Sequence, residues 1–403
     1  MISDMLSKDP NFDLINHIIS SVFQIEDITY GSAKQKFMVR YHGRFFNNDT
    51  QSAYETLDKQ LKPMGITPLF RWDGLRQAVV LIPGVTAPAR HRPVINLILF
   101  ILTLISVLVT GALYGVEEAI PTNLLGWVSM FLQRGWPFAV SLIAILTAHE
   151  FGHYFAGRHH GLNVSLPYFI PFPLSPFGTM GAFINMKDIP RNRKVLLDIG
   201  IAGPLSGLVV AIPVLLLGLS LSTISTLPEQ AAGGLSLQLE GNSILYLLSK
   251  FVIFGQLLPS PASYEGLNPL LYWIKYFFSG QPLPLGGVDV MLHPVAWAGW
   301  AGLLVTGLNL IPAGQLDGGH ILFVLFGEKR ARILYPIILI TLVALGFFWN
   351  GWWLWAVIIF LLGRFYAEPL DMITELDMRR KILGGLAMIV FILTFIPVPL
   401  IFV

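Results

Sequence analysis

The chain has 403 residues, of which 54% are hydrophobic and only 12% are charged, and its mean hydropathy is +0.65. Soluble domains carry about 25% charged residues, so this composition excludes an ordinary soluble protein and indicates an integral membrane protein with helical spans. The net charge of +2 gives no reason to expect a nucleic-acid partner. The chain has no cysteine, so any metal must be held by His, Asp or Glu.

The first 88 residues are polar enough to form a small soluble α+β domain. Alternating apolar residues at 37–41 predict a strand. A pattern resembling a capping box at 48–51 predicts a helix that runs to about residue 64. The turn sequence at 72–74 predicts a hairpin. We expect this domain to end at residues 83–84. The first residues do not show a basic stretch that leads into an apolar run, so we expect no cleaved signal peptide.

Long apolar stretches follow and predict an α-helical polytopic membrane domain of about seven spans over 89–403. Residues 222–289 form the longest connection. Its apolar segments 244–258 and 267–278 are too short to span, so we expect them to lie at the interface or to re-enter the membrane. The predicted spans are 94–116, 136–159, 195–221, 290–310, 331–348, 352–365 and 382–403.

Basic residues are concentrated in alternate connections between the predicted spans. Cytoplasmic connections are rich in Lys and Arg, so the pattern predicts a multi-pass protein with a cytoplasmic N-terminus and a C-terminus outside. The clusters are Arg90 and Arg92 before span one; Arg158, Lys187, Arg191, Arg193 and Lys194 after span two; Lys329, Arg330 and Arg332 after span four; and Arg379, Arg380 and Lys381 before the last span.

The second span contains the sequence HEFGH, residues 149–153. His149 and His153 are four residues apart and therefore share one face of a helix, where two imidazoles can bind one zinc ion. Glu150 lies beside the first histidine, where a carboxylate can take a proton from an activated water. Ionisable residues inside an apolar span are costly and indicate function rather than packing.

A catalytic zinc site usually has three protein ligands, and Asp317 is the best candidate for the third. It lies in the sequence NLIPAGQLDGGH, residues 309–320, directly after the fourth predicted span. The predicted orientation brings the ends of spans two and four to the same side of the membrane. Asp-Gly is by itself a common turn, so this placement is what favours a ligand.

These two motifs resemble those of the site-2 protease family of intramembrane zinc metalloproteases. HEFGH matches the family's HExxH motif, and Asn309-x-x-Pro312-x-x-x-Leu316-Asp317-Gly318 matches its second motif. The resemblance covers about residues 136–325, which we take as the catalytic core, and includes the segments 178–182 and 202–207. Residues 293–300 resemble the branch with cyanobacterial and plastid members. No PDZ-like insertion is found, so the residues that select substrates stay open.

The resemblance implies peptide-bond hydrolysis in the membrane plane, with one zinc ion per chain and membrane proteins of a single span as substrates. It also implies that Asn309 lies near the site, as a substrate or oxyanion donor or simply as a helix cap. Gly178 and Gly181 indicate a non-helical segment that is either a loop or a hairpin whose edge binds substrate. Gly203 and Gly207 predict close helix packing, and His320 is not counted as a ligand.

Other classes of function remain open from the sequence alone. A metal transporter would need several staged polar sites and often repeated halves, whereas one clustered site and no repeat are found. A non-catalytic zinc-binding scaffold would not need Glu150. A zinc peptidase acting on soluble or lipidated peptides would take Glu or His as its third ligand. Neither the oligomeric state nor the physiological substrate can be predicted.

Overall fold

The computed structural model describes residues 12–32, 35, 37–84, 93–114, 122–229 and 238–402. Residues 1–11, Arg90, Arg92 and the predicted span ends at 115–116 and 403 lie outside this part. The chain divides into two compact units. The first comprises Met1–Arg90, Lys187–Leu196 and Glu368–Arg380; the second comprises His91–Met186, Leu197–Ala367 and Lys381–Val403.

Among its described residues, the first unit contains two α-helices beside a four-stranded antiparallel sheet with strand order β1-β2-β4-β3. The predicted hairpin is confirmed, and Gly74 takes the positive φ that its turn requires. The predicted helix is also confirmed, although Asp49 rather than Asn48 caps it, accepting from the backbone N–H of Ser52. The elements are α1 (Phe12–Ser20), β1 (Phe23–Tyr30), β2 (Val39–Phe45), α2 (Thr50–Leu61), β3 (Ile66–Asp73) and β4 (Arg76–Pro83).

Two distant segments of the chain extend the open edge of β3. Phe70 exchanges backbone hydrogen bonds with residues 370 and 372, at 2.9 and 3.1 Å, and residues 370–371 in turn bond to residues 190–191. Ile373 enters the apolar core of the sheet. The compact unit therefore includes residues outside the predicted 1–88 domain, because backbone groups at the edge of β3 are satisfied by connections between apolar helices.

The second unit contains the apolar helices. Among the described residues, three helices are long and apolar enough to cross a membrane: Pro93–Leu113, Leu124–His159 and Arg193–Ser220. Its elements are α3 (Pro93–Leu113), α4 (Leu124–Met130), α5 (Trp136–His159), β5 (Tyr168–Pro171), β6 (Thr179–Phe183), α6 (Arg193–Ser220), β7 (Thr223–Thr226), β8 (Gln238–Glu240), α7 (Ile244–Phe254), α8 (Pro269–Ser279), β9 (Val288–Met291), α9 (Pro294–Asn309), α10 (Asp317–Phe326), α11 (Glu328–Leu345), α12 (Gly351–Leu362), α13 (Met378–Thr394) and β10 (Leu400–Phe402).

Three of the later helices, α9, α12 and α13, are shorter than the predicted spans. The fourth begins only at Pro294, because residues 288–291 form strand β9 and His293 caps the helix. The last ends at Thr394 and not at 403, because Pro397 and Pro399 cannot continue a helix and the chain turns into β10. The described residues thus include three candidate spans, and the predicted count of seven is not confirmed.

Helices α5, α6 and α9 pack closely through small residues. A Cβ added to Gly299 would lie 2.6 Å from the Cα of Leu215 on α6, and one added to Gly302 would lie 2.9 Å from a methyl carbon of Ile145 on α5. Such close approach of backbones is how membrane helices gain packing energy. Around these contacts lies the main apolar core of the unit, and Asn309 at the end of α9 lies beside His149 on α5.

Candidate metal centre

Helix α5 places the two histidines of the HEFGH motif as predicted. His149 and His153 are both buried, and their Nε2 atoms lie 3.2 Å apart. This proximity follows from their spacing of four residues, which stacks side chains on one face of an α-helix. Both nitrogens therefore point at one small volume.

Asp317, the first residue of α10, completes the group. Its Oδ2 lies 3.4 Å from the Nε2 of His149 and 3.3 Å from the Nε2 of His153. Three ligands at about 2.0–2.1 Å from a tetrahedral zinc ion are separated by about 3.3 Å, so the residues present fit a zinc ion. Within the part of the chain that the structure describes, this is the one cluster of three such residues that could hold a metal.

A backbone carbonyl orients the second histidine. The Nδ1 of His153 lies 2.7 Å from the carbonyl oxygen of Ile199 on α6. Since a carbonyl can only accept, the proton is on Nδ1 and the lone pair is left on Nε2, the tautomer that metal binding requires. Sequence reasoning did not find Ile199, because a main-chain carbonyl leaves no signal in residue type.

Glycines on α6 make room for the two imidazole rings. A Cβ on Gly203 would lie closer than 3.0 Å to the Nε2, Cδ2 and Cε1 atoms of His153. A Cβ on Gly207 would lie 3.1 Å from the Cβ of His149 and 3.2 Å from its Nδ1. Close helix packing was predicted from these glycines, but their position against the two histidines was not.

Two further polar residues face the centre. Glu150 is buried and lies within electrostatic range of His149, His153 and Asp317. Asn309, at the end of α9, places its Nδ2 3.3 Å from the Nε2 of His149. The structure thus brings together five of the seven predicted site residues.

The other two predicted site residues, Gly178 and Gly181, lie in a hairpin formed by β5 and β6. Gly178 has a φ of +73° and packs on α3, where the hydroxyl of Ser106 donates a 2.6 Å hydrogen bond to its carbonyl. Gly181 has a φ of +96° and open space where a Cβ would be. Neither glycine contacts the three candidate ligands in any described interaction, and Ser106 was not predicted.

Comparison with known proteins supports the assignment of this centre. The model of peptidase family M50 matches residues 137–349, which contain both motifs. The chain belongs to peptidase family M50. The predicted resemblance to the site-2 protease family is thereby confirmed, and the transporter and scaffold alternatives are not favoured.

Named relatives of this M50 chain come from plants. "Probable zinc metalloprotease EGY1, chloroplastic" of Arabidopsis thaliana is 29% identical over 81% of this chain and 56% of its own length. "Probable zinc metalloprotease EGY2, chloroplastic" is 31% identical in A. thaliana, over 67% of this chain and 43% of its own length. Its counterpart in Oryza sativa subsp. indica is 31% identical over 66% of this chain and 44% of its own length. The chain spans about half the length of these curated relatives, and no solved structure matches it.

Other histidines of this family member are placed differently. His160 caps the end of α5, and its Nε2 lies within hydrogen-bond distance of Asp198, at 2.9 Å, away from the cluster. His320, one turn after Asp317 on α10, is buried but is not part of the three-residue group.

Proposed function

We propose that this chain is a zinc-dependent endopeptidase that hydrolyses peptide bonds within or near the membrane-spanning segments of single-span proteins. The observation that carries the proposal is the spacing of the donor atoms of His149, His153 and Asp317, at 3.2–3.4 Å from one another. Family membership supports the same enzyme class. One zinc ion per chain follows from the single cluster among the described residues.

Each residue of the centre has a role that its position supports. When bound, zinc supplies a Lewis acid for the scissile carbonyl and the attacking water. Glu150 takes the proton from that water and returns it to the leaving amine. The amide of Asn309 lies beside His149, where it can donate to the substrate carbonyl as negative charge develops on the oxygen.

The β5–β6 hairpin is the proposed binding platform for the substrate backbone. Among the described residues, β6 pairs only with β5, so its second edge has no strand partner. On β6, Met180 is 62% exposed and Phe183 is 50% exposed. An unwound substrate segment can pair with this edge as a third strand. Gly178 anchors the hairpin to α3, and Gly181 keeps the edge free of a side chain.

A decisive test separates metal binding from catalysis in the purified chain. Glu150→Gln should retain about one zinc ion per chain and lose cleavage of a single-span test substrate, because the three ligands are kept and the base is removed. Asp317→Asn should weaken both zinc binding and cleavage. His159→Ala, at the exposed end of the same helix, is the matched control and should change neither. Full proteolysis by Glu150→Gln would contradict the proposal.

Substrate unwinding has its own test. His149 and His153 are buried and Asp317 is only partly exposed, so a folded soluble protein cannot reach the centre. A single-span helix can reach it if it unwinds locally, and Gly or Pro lowers the free energy required. Substrates with Gly or Pro near the cleaved bond should therefore be cut faster than poly-leucine spans. Equal rates would remove the unwinding requirement.

The finer topology also belongs to the proposal. We propose about seven spans, because α9 and α11–α13 are apolar helices that accompany the three longer ones. The alternating basic clusters support a cytoplasmic N-terminus and a C-terminus outside. Cysteines introduced at Gln60 and Ser225, both exposed, should react with a membrane-impermeant reagent from opposite sides. Labelling of both from one side would contradict this topology.

A further inference from the structure

A second group of buried ionisable residues lies outside the metal centre. Glu240 on β8, Asp289 on β9 and Lys250 on α7 have exposed fractions of 8%, 3% and 0%. The hydroxyl of Tyr246 donates a 2.7 Å hydrogen bond to Glu240. The Nζ of Lys250 lies 4.4 Å above the ring of Tyr246 and 3.8 Å from Asp289. These contacts join the three ionisable side chains into one cluster.

The charges of this cluster do not balance. Two carboxylates and one ammonium group carry a net charge of −1 when all three are ionised. A buried charge without a partner costs several kcal/mol, whereas one proton on one carboxyl group makes the cluster neutral. Asp289 faces the ammonium group directly, whereas the side chain that donates to Glu240 is the neutral phenol of Tyr246, so Glu240 is the residue that takes the proton.

We propose that Glu240, Asp289 and Lys250 form a buried proton-binding centre that holds one exchangeable proton on Glu240. Burial and then the charge of Asp289 raise the pKa of Glu240 to about 7, partly opposed by Lys250. The groups that face this carboxyl group are, besides the ion pair, three tyrosines on neighbouring elements: Tyr246 on α7, Tyr276 on α8 and Tyr114 after α3.

A purely structural ion pair explains the cluster less well. The Nζ of Lys250, the hydroxyl of Tyr276 and both polar atoms of Asn242 have no hydrogen-bond partner among the described residues. A cluster serving stability alone would satisfy these groups, because an unpaired buried polar group is destabilising. The ammonium group also excludes a metal ion as the ligand. A proton fits the charge and the chemistry of the cluster.

The centre is separate from the metal site. The Nε1 of Trp300 on α9 donates to the carbonyl of Gly241, the residue after Glu240. Asn309, which lies beside His149, is nine residues further along the same helix, about 14 Å at 1.5 Å per residue. Titration of Glu240 can therefore be measured without interference from the zinc ligands.

Infrared spectroscopy of the zinc-loaded full chain in lipid nanodiscs tests the proposal. The C=O stretch of a protonated glutamic acid should be present at pH 5.5 and disappear with a midpoint near pH 7. The measurement is made in a Glu150→Gln background, which removes the buried glutamate of the metal site. Glu240→Gln should abolish the band, and Glu229→Gln, an exposed control on the same connection, should leave it unchanged.

Two neighbours should shift this midpoint in opposite directions. Asp289→Asn removes a negative charge and should lower the midpoint, whereas Lys250→Met removes the positive charge and should raise it, each by about one pH unit or more. A band that survives in Glu240→Gln, or shifts of the same sign in the two neighbours, would overturn the proposal. If Glu240→Gln does not fold, ¹³C-glutamate labelling decides the question. An isotope shift in the frequency of the band that titrates near pH 7 supports the proposal, and an unshifted frequency overturns it.

Discussion

Replacing Gly203 by alanine should remove zinc from the metal centre without changing any ligand. The added methyl group would lie closer than 3.0 Å to three ring atoms of His153. Ordinary contact between such atoms needs about 4.0 Å, so the ring has to move by clearly more than about 1 Å. Its Nδ1 is held by Ile199 at 2.7 Å, which limits how the ring can move. A zinc–nitrogen bond tolerates about 0.2 Å.

The expected loss of affinity follows from losing one of three ligands. Disturbing residues that merely orient a ligand lowers metal affinity by about 10–100-fold, so Gly203→Ala should lower it by at least about 100-fold, or about 2.7 kcal/mol. Gly207→Ala should cost about 10-fold or less, because its methyl group would lie 3.1–3.2 Å from His149 and needs a shift of only a few tenths of an ångström.

The assay is competition for zinc against a chelator of known affinity, with proteolysis measured in the same preparation. Gly385→Ala on α13 is the matched control, because no atom lies within 4 Å of its added Cβ. Alanine is favoured over glycine in helices by up to about 1 kcal/mol, so this control should bind zinc normally and be slightly more stable. Wild-type zinc affinity in Gly203→Ala would refute the steric reasoning.

Three further predictions concern the hairpin, the first unit and the metal. Ser106→Ala leaves the carbonyl of Gly178 without its donor and should raise KM more than it lowers kcat, with faster hydrogen exchange in the hairpin; unchanged exchange would contradict this. Ile373→Ala should destabilise the first unit by about 2–4 kcal/mol and speed hydrogen exchange over 66–83, whereas Met378→Ala, an exposed control, should not; equal exchange in both would show that Ile373 is not core. Free zinc at 1,000 times its Kd stabilises the folded protein by about 4 kcal/mol. Removing zinc with a chelator should therefore lower the unfolding temperature, and an unchanged temperature would argue against a bound metal.

Much of the metal centre was predictable because its signals are local. The spacing of His149 and His153 fixes one helical face, and the alternation of basic clusters suggested that Asp317 approaches it. The carbonyl of Ile199 and the position of Gly203 were not predictable, since they depend on how α6 packs against α5. In such helix pairs the register is set by small residues distributed along both helices.

The limits of the fold prediction have the same physical origin. Apolar composition predicted helices correctly at 331–348 and 352–365, but hydropathy alone does not register a proline or a cap. Pro397 therefore ended the last helix earlier than expected. The edge of β3 was equally invisible, because its partners lie about 300 residues away at 370–372 and no local pattern specifies such a pairing.

Charge balance connects the two buried centres of the second unit. At the metal centre, the Asp317 carboxylate and two imidazoles, which bind a metal only in their neutral form, lie beside Glu150, and a divalent cation supplies the positive charge that this group lacks. At the second centre, Glu240 and Asp289 face one ammonium group, so a single proton has the same effect. Since uncompensated charge is costly in apolar surroundings, each centre has a charge deficit that selects its ligand. Zinc removal should therefore act on the first centre alone, and a pH change from 6 to 8 should change the charge of the second.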